Sequence, residues 1–423
     1  MLNNVVFLES GYHTFFCELE KCFAQSYFVS STWAHKYVYA RNMGMIFNSH
    51  PLTIDQATDE ELMVAMEIQQ RGWVRGSNIK SLSLEYILGA IRSAHELLLE
   101  FSADLLIMHN HQRFMHAIFS AAAEKIGIKV IVFERGLFRP FTTTIDVGGV
   151  NADASVKDQW STSIDLLQTE SFRKARTNAF DSFSTRYRFV IFYILVHMEK
   201  MFGVSPAAYL PKKPSQLIRL VTNKISRKLG FGRYPKIPTD DNFVVFALQL
   251  ASDTQLLLNS PWNSNMHLLY YVNRALEELS IHNTTFICTV HPLDDTSYPD
   301  FSHLKFTRES TGSLIHHACA VLTVNSTVSI EALSQSGPIC LLGQSGFNVP
   351  DIGFFESLAS FLTFVSSGDG LSELQLDLRG KYLDFLMFQY QVPINVYEFS
   401  STDVITAYEK IYAVAGQTEA NFN

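Results

Sequence analysis

Short apolar runs punctuate the chain, and each stops abruptly in polar residues. "NVVFLES" (4–10), "DLLIMH" (104–109) and "IKVIVF" (128–133) read as strands, with a helix predicted over 112–126. After residue 240 the pattern returns in "NFVVFALQL" (242–250), "TTFICTV" (284–290), "AVLTV" (320–324) and "PICLLG" (338–343). Helices are predicted there over 264–280 and from about Thr327 to Gln335. Runs that are apolar throughout, rather than alternating, belong to strands covered on both faces. That is the signature of a parallel sheet in an α/β protein. The rhythm stops between about 155 and 240, and 371–415 reads as mainly helical. The expectation is two α/β lobes with a helical tail, divided as 1–155, a connecting segment 156–240, 241–370, and a tail 371–423.

Open parallel sheets bind ligands beyond the carboxyl ends of their strands, so the residues there carry the candidate chemistry. The run at 128–133 is followed by Glu134-Arg135-Gly136. The run at 242–250 contains Gln249 and is followed by Ser252, Asp253, Thr254 and Gln255. Then come His291-Pro292 after 284–290 and Asn325-Ser326-Thr327 after 320–324. Four such ends divided between two lobes suggest a cleft. Each also has a plainer reading. Asn325 or Ser326 either caps the following helix or, with the free backbone N–H groups, receives an anion. His291 is either a structural histidine or an imidazolium held at a strand tip by Pro292, able to stabilise a leaving phosphate. Asp253 is either a helix cap or a cleft carboxylate. In the latter case Glu134 completes a pair able to serve as nucleophile and acid/base across a sugar ring. His109, His111, His116 and the His316-His317 pair do not form a zinc motif, so no metal is expected.

Composition adds three constraints. With 423 residues, 47% hydrophobic and 17% charged, the chain is ordinary globular protein, long enough for two large domains. A net charge of −8 argues against a general nucleic-acid binder. Its five cysteines are scattered, with no CxxC pair, and read as reduced thiols of a cytosolic protein. The N-terminus lacks a basic region and does not read as a signal peptide. "FVIFYILV" (189–196) falls short of the roughly 20 apolar residues a helical span needs. Between Arg186 and Lys236, however, eleven Lys and Arg stand against a single acid, Glu199, with aromatic and aliphatic residues interleaved. The segment is either a solvated basic face or, as expected here, a peripheral attachment to an anionic membrane. No RNA-binding module accompanies it.

Taken together, these residues resemble a known family. "FERGLFRPFTTTIDVGGVNADAS" (133–155) closely resembles the Glu-Glu-Gly-Tyr-Leu-Arg-Pro … Gly-Val-Asn-Ala block of the bacterial capsular-polysaccharide β-Kdo transferases. "LQLASDTQLLLNS" (248–260) looks like their Leu-Gln … Asp-Ser-Gln … Ser block. "VHPLD" (290–294) and "LTVNSTVSIEAL" (322–333) look like their His-Pro and Asn-Ser-Thr blocks. Order and spacing agree from about residue 4 to 355, most loosely in the first 100 residues. The last 70 also match only loosely. The nearest likeness is to the single-module enzymes that start the Kdo linker on a lysophosphatidylglycerol acceptor.

The resemblance implies two Rossmann-like domains of the GT-B type facing each other across a cleft. It implies transfer of Kdo from CMP-β-Kdo with retention and with neither metal nor cofactor. It maps the family's nucleophile onto Asp253 and its active-site glutamate onto Glu134. The groups that handle the CMP phosphate map onto His291, Pro292, Asn325, Ser326 and Thr327. Gln249, Gln255, Arg113 and Arg139 fall on further family positions. The implied partners are a nucleotide-sugar donor, a lipid acceptor at an anionic membrane surface on the cytoplasmic face of the inner membrane, and other capsule-assembly proteins. One departure stands out: the family's second glutamate is Arg135 here, which is expected to lower the pKa of Glu134 or to alter the acceptor or sugar recognised. The alternatives are a transferase for another CMP-activated acidic sugar and a non-catalytic capsule biosynthesis or export subunit.

Overall fold

The computed structural model describes residues 4–30, 32–38, 44–46, 52–72, 82–163, 191–192, 194–199, 201–202, 222, 242–251, 253–262, 264–281, 284–291, 294 and 296–420. These fall into two compact units, one built mainly from 4–155 and 387–420, the other from 156–163 and 242–386.

The first unit holds a six-stranded sheet. Its strands are β1 (Asn4–Leu8), β2 (Gln25–Ser30), β3 (Gly44–Ile46), β4 (Leu105–His109), β5 (Lys129–Arg135) and β6 (Thr143–Asp146). The spatial order is β3-β2-β1-β4-β5-β6, parallel except for the antiparallel pair β5/β6. The helices are α1 (His13–Leu19), α2 (Trp33–Val38), α3 (Asp59–Gly72), α4 (Leu84–Glu100) and α5 (Phe114–Lys125). The unbroken apolar runs now have their reason. Val5, Phe7, Ile107 and Phe133 point into one core layer, and Val6, Leu8, Met108 and Val132 into another, where α4 and α5 pack. Side chains alternate across a strand, so a sheet covered on both faces needs apolar residues at every position.

The second unit repeats the plan. After α6 (Val156–Ser163) come β7 (Phe243–Ala247), α7 (Thr254–Leu258), α8 (Asn265–Glu278), β8 (Thr285–Thr289), β9 (Leu304–Thr307), α9 (Thr311–Ile315), β10 (Ala320–Thr323), α10 (Val328–Ala332), β11 (Ile339–Leu341), β12 (Phe354–Phe355), α11 (Leu358–Ser367) and α12 (Glu373–Phe385). The order is β12-β11-β10-β7-β8-β9, and every pair is parallel. Both sheets therefore have the doubly wound Rossmann order, reversing direction between β1 and β4 in one and between β7 and β10 in the other. Such a reversal opens a crevice at the carboxyl ends of the two central strands.

Two expectations change. The residues from 371 onward do not form one helical tail. The helix α12 belongs to the second unit, where the Tyr382 hydroxyl donates to the Phe347 carbonyl at 2.8 Å. Beyond Leu386 the chain joins the first unit. Val392 bridges Thr143, the Tyr390 hydroxyl donates to Asp146 at 2.7 Å, and the final helix α13 (Ser401–Ala420) lays Val404, Ala407, Ile411 and Val414 into the first core. The helix expected to end at Gln335 is also shorter. It stops at Ala332 in tight i→i+3 turns, Ser334 N–H to Glu331 and Gln335 N–H to Ala332. The chain must then pass Gly337, where a Cβ would lie 2.1 Å from the Cys319 carbonyl oxygen.

Candidate functional site

At the first sheet's reversal, β4 ends in His109 and the turn that follows is set by Asn110, whose φ is +58°. That left-handed residue is one of the few types that tolerate it. The Asn110 amide donates to Glu134 Oε2 at 2.9 Å. Glu134 Oε1 accepts the N–H of Arg135 at 3.0 Å and lies 3.7 Å from His109 Nε2. The Tyr12 ring, at the cap of α1, packs 4.1 Å from the imidazole. Burial alone would raise the Glu134 carboxyl. His109, the Arg135 N–H and Asn110 outweigh it and bring it down to about 2.

Sequence reasoning placed Glu134 just beyond the end of its strand. Instead, Glu134 and Arg135 are the last two residues of β5, paired with Thr144 and Thr143 of β6, because the antiparallel edge strand extends the ladder. Neighbouring strand residues face opposite ways. Arg135 accordingly reaches Tyr397, with its guanidinium 5.2 Å from the ring centre, and lowers Glu134 through its backbone N–H. Gly136 is required by its own loop. A Cβ there would sit 2.1 Å from Thr142 Oγ1, and the Gly136 N–H donates to the Thr142 carbonyl at 3.0 Å. Arg139 Nε donates to the Gly136 carbonyl at 3.2 Å. Arg113 occupies the cap position of α5. Asp146, fully buried, accepts the N–H groups of Gly148, Gly149 and Ser155 and the hydroxyls of Ser155 and Tyr390. His109, Asn110 and Tyr12 were missed by sequence, although the strand-end rule applied to 104–109 points directly at the first two.

At the second sheet's reversal the structure brings together Gln249, Asp253, Gln255 and Asn325. Gln249 Nε2 donates to Asn325 Oδ1 at 2.8 Å, which ties the end of β7 to the end of β10. Asn325 Nδ2 in turn lies within hydrogen-bond distance of the carbonyls of Gln255, Asn259 and Gln344. Its side chain is thus fully engaged in shaping the turn. Asn259 Nδ2 fixes Gln255 Oε1 at 2.9 Å. Asp253 stands at the cap of α7, its Oδ1 accepting the Gln255 N–H at 3.0 Å. Ser326 accepts the Val328 N–H at 3.3 Å, and the Thr327 side chain makes no cap bond. His291 follows β8, half-buried, with its carbonyl accepting the Asp294 N–H at 2.9 Å. Asp294 points inward, where its Oδ2 accepts the Tyr298 hydroxyl at 2.5 Å. Pro292 and Ser252 lie outside the described residues. Among the described residues no group of three or more His, Cys, Asp or Glu is placed to hold a metal ion, and no helix is long and apolar enough to cross a membrane.

Two doubly wound sheets, each gathering ionisable or amide side chains at its reversal, make this a two-unit Rossmann-like protein. It belongs to the capsule polysaccharide biosynthesis protein family, whose model matches residues 104–379. Protein FixF of Sinorhizobium fredii is 32% identical over 139 residues, covering 31% of this chain and 33% of FixF. The capsule polysaccharide modification protein LipB of Neisseria meningitidis serogroup A is 22% identical over 303 residues, covering 62% of this chain and 70% of LipB. Among solved structures, the beta Kdo 2,7 transferase of Thermosulfurimonas dismutans KpsC is similar over 75% of this chain and 89% of that chain, at 15% identity and a TM-score of 0.38.

Proposed function

We propose that the chain is a retaining glycosyltransferase of the GT-B type that moves Kdo from CMP-β-Kdo to a (lyso)phosphatidylglycerol-type or Kdo-lipid acceptor in capsule linker synthesis. One observation carries the reading. The four blocks that resemble β-Kdo transferases all fall at carboxyl ends of strands in two doubly wound sheets, at β5, β7, β8 and β10.

In this reading Asp253 attacks the anomeric carbon, the bond to CMP breaks, and a Kdo ester of Asp253 forms. The acceptor hydroxyl then attacks the same carbon, the ester breaks, and Glu134 accepts the hydroxyl proton. Two inversions give retention. A carboxylate held at about 2 is ionised at neutral pH, so it can receive a proton but not supply one. His291, Ser326 and Thr327 stabilise the charge left on CMP without a metal or cofactor. Asn325 acts on that turn through its shape. The Gln255 N–H positions Asp253, Gln249 holds Asn325, and Arg113 and Arg139 meet substrate anions.

The test is incubation with CMP-Kdo generated in situ and a panel of lipid acceptors, read by mass spectrometry. Asp253→Asn should lower transfer by roughly a thousandfold or more while the fold is kept. Full activity in Asp253→Ala would sink the nucleophile assignment. Arg135, which replaces the family's second glutamate, favours one further arm: other CMP-activated acidic sugars offered as donors. Failure to bind CMP by calorimetry would point to a non-catalytic subunit.

A further inference from the structure

Beside the strand end that carries Glu134 lies a cavity of about 270 Å³, formed entirely within the first unit. Arg135, Arg139, Thr142, Asn395, Tyr397 and Glu398 are among the residues that line it. Both guanidiniums are held in place. Arg135 lies over the Tyr397 ring at 5.2 Å, and Arg139 is tethered to the Gly136 carbonyl at 3.2 Å. Neither makes an ion pair with a described residue. The walls are fixed by buried Gln391, whose Oε1 accepts the Leu137 N–H at 3.0 Å and the Thr142 hydroxyl at 3.1 Å, while its amide donates to Thr144 at 2.8 Å. Two tethered, solvent-exposed guanidiniums face one carboxylate, Glu398, so the lining carries a net positive charge. Its volume lies just below the usual range for drug-sized ligands and suits a head group.

The geometry points to a subsite for an oxyanion of the acceptor, a phosphate or a carboxylate, clamped between Arg135 and Arg139 beside the Tyr397 ring. Planar guanidiniums bind such groups through paired N–H bonds, and a guanidinium already stacked on a ring loses less freedom on binding. This role also accounts for an arginine at 135, on the opposite side of the strand from Glu134. It rests on the transferase reading for the word acceptor; the anion site itself does not.

Calorimetry on the full chain tests it with glycerophosphoglycerol, the methyl glycoside of Kdo, and glycerol as the neutral control. One of the two anions should bind and glycerol should not. Arg135→Gln or Arg139→Gln should each weaken that binding on the order of tenfold, and the double variant should abolish it. Lysine at either position should fall between. Binding of the phosphodiester identifies a lipid head group, and binding of the glycoside a sugar acid; either supports the site. No binding of either anion by the unaltered protein, or equal binding by the double variant, overturns it. CMP affinity, measured in parallel on Arg135→Gln, should not change. If CMP fails to bind the unaltered protein, the transferase reading falls while the anion result still stands or falls on its own arm.

Discussion

Glu134 sits where burial alone would push its carboxyl up, yet its neighbours hold it at about 2 against an ordinary 4.5. The folded state therefore favours the ionised form. The stability this lends is fully present above about 4.5 and is lost as pH falls from there towards 2. Replacing His109 separates the causes. In His109→Leu the burial remains but the largest opposing partner is gone, so the Glu134 carboxyl should titrate well above 2. The acid limb of the unfolding curve should move to higher pH with it. Carbon-13 NMR of the carboxyl reads this directly, and an unmoved titration would show that His109 is not what holds the carboxylate down. Sequence reasoning found Glu134 and Asp253 because both follow apolar runs. It did not find His109 as their like, since a histidine that ends a strand pattern looks the same whether it faces solvent or a carboxylate. Nor did it show Asn325 as fully engaged, because a side chain's partners come from turns distant in sequence.

Arg379 makes the corresponding point for a secondary-structure element. It lies in α12, 2% exposed, in a stretch whose composition reads as surface helix. Its Nε donates to the Ile352 carbonyl at 2.9 Å and its Nη1 to those of Gln335 and Gly337 at 2.6 and 2.9 Å. Burial lowers its pKa to about 10, still far above neutrality, so it stays charged. Gly353, at φ +82°, leaves the room: a Cβ there would come 2.5 Å from Nη2. The arginine thus ties α12 to the turns on either side of β11. Arg379→Met should lower stability by about 3 kcal/mol, because three carbonyls lose a charged donor in a dry site. Arg379→Lys should recover part of it, as read from the urea midpoint. An unchanged midpoint in the methionine variant would mean those carbonyls find other donors. The central strands were legible because both faces are buried. Short edge elements such as β3, β6, β9 and β12 were not, since two to four residues at a sheet's edge carry too few apolar positions to form a pattern.

For the whole molecule, the pairing of two α/β lobes was readable from the interrupted rhythm, but the return of the C-terminus to the first unit was not. A helix with one apolar stripe does not reveal which sheet it will cover. Since Val404, Ala407, Ile411 and Val414 complete the first core, removing residues 401–423 should expose that layer. The truncated chain should bind a hydrophobic dye and melt at lower temperature; an unchanged melt would mean the helix is dispensable.

The basic segment raises the remaining question at this scale. Lys212, Lys213, Arg227 and Lys228 lie outside the described residues, but the flanking stretch is informative. Phe192 and Val196 pack on Ala34, and Glu199, the segment's lone acid, is taken up by the N–H groups of Trp33 and Ala34. Ile194, Met198, Met201 and Phe202 are exposed, and their spacing places them on one helical face. An apolar helical face within a sequence segment rich in Lys and Arg is the composition that settles into an anionic interface. Each cation near such a surface contributes about 1 kcal/mol, so neutralising these four should weaken binding to phosphatidylglycerol vesicles by roughly a thousandfold. Raising salt from about 0.1 M to about 1 M shortens the Debye length from about 10 Å to about 3 Å and should act in the same direction. Met201→Glu with Phe202→Glu should weaken it without any change in the cations. Sedimentation with phosphatidylglycerol and with phosphatidylcholine vesicles checks all three, and equal binding to both lipids by every variant would remove the membrane from the account.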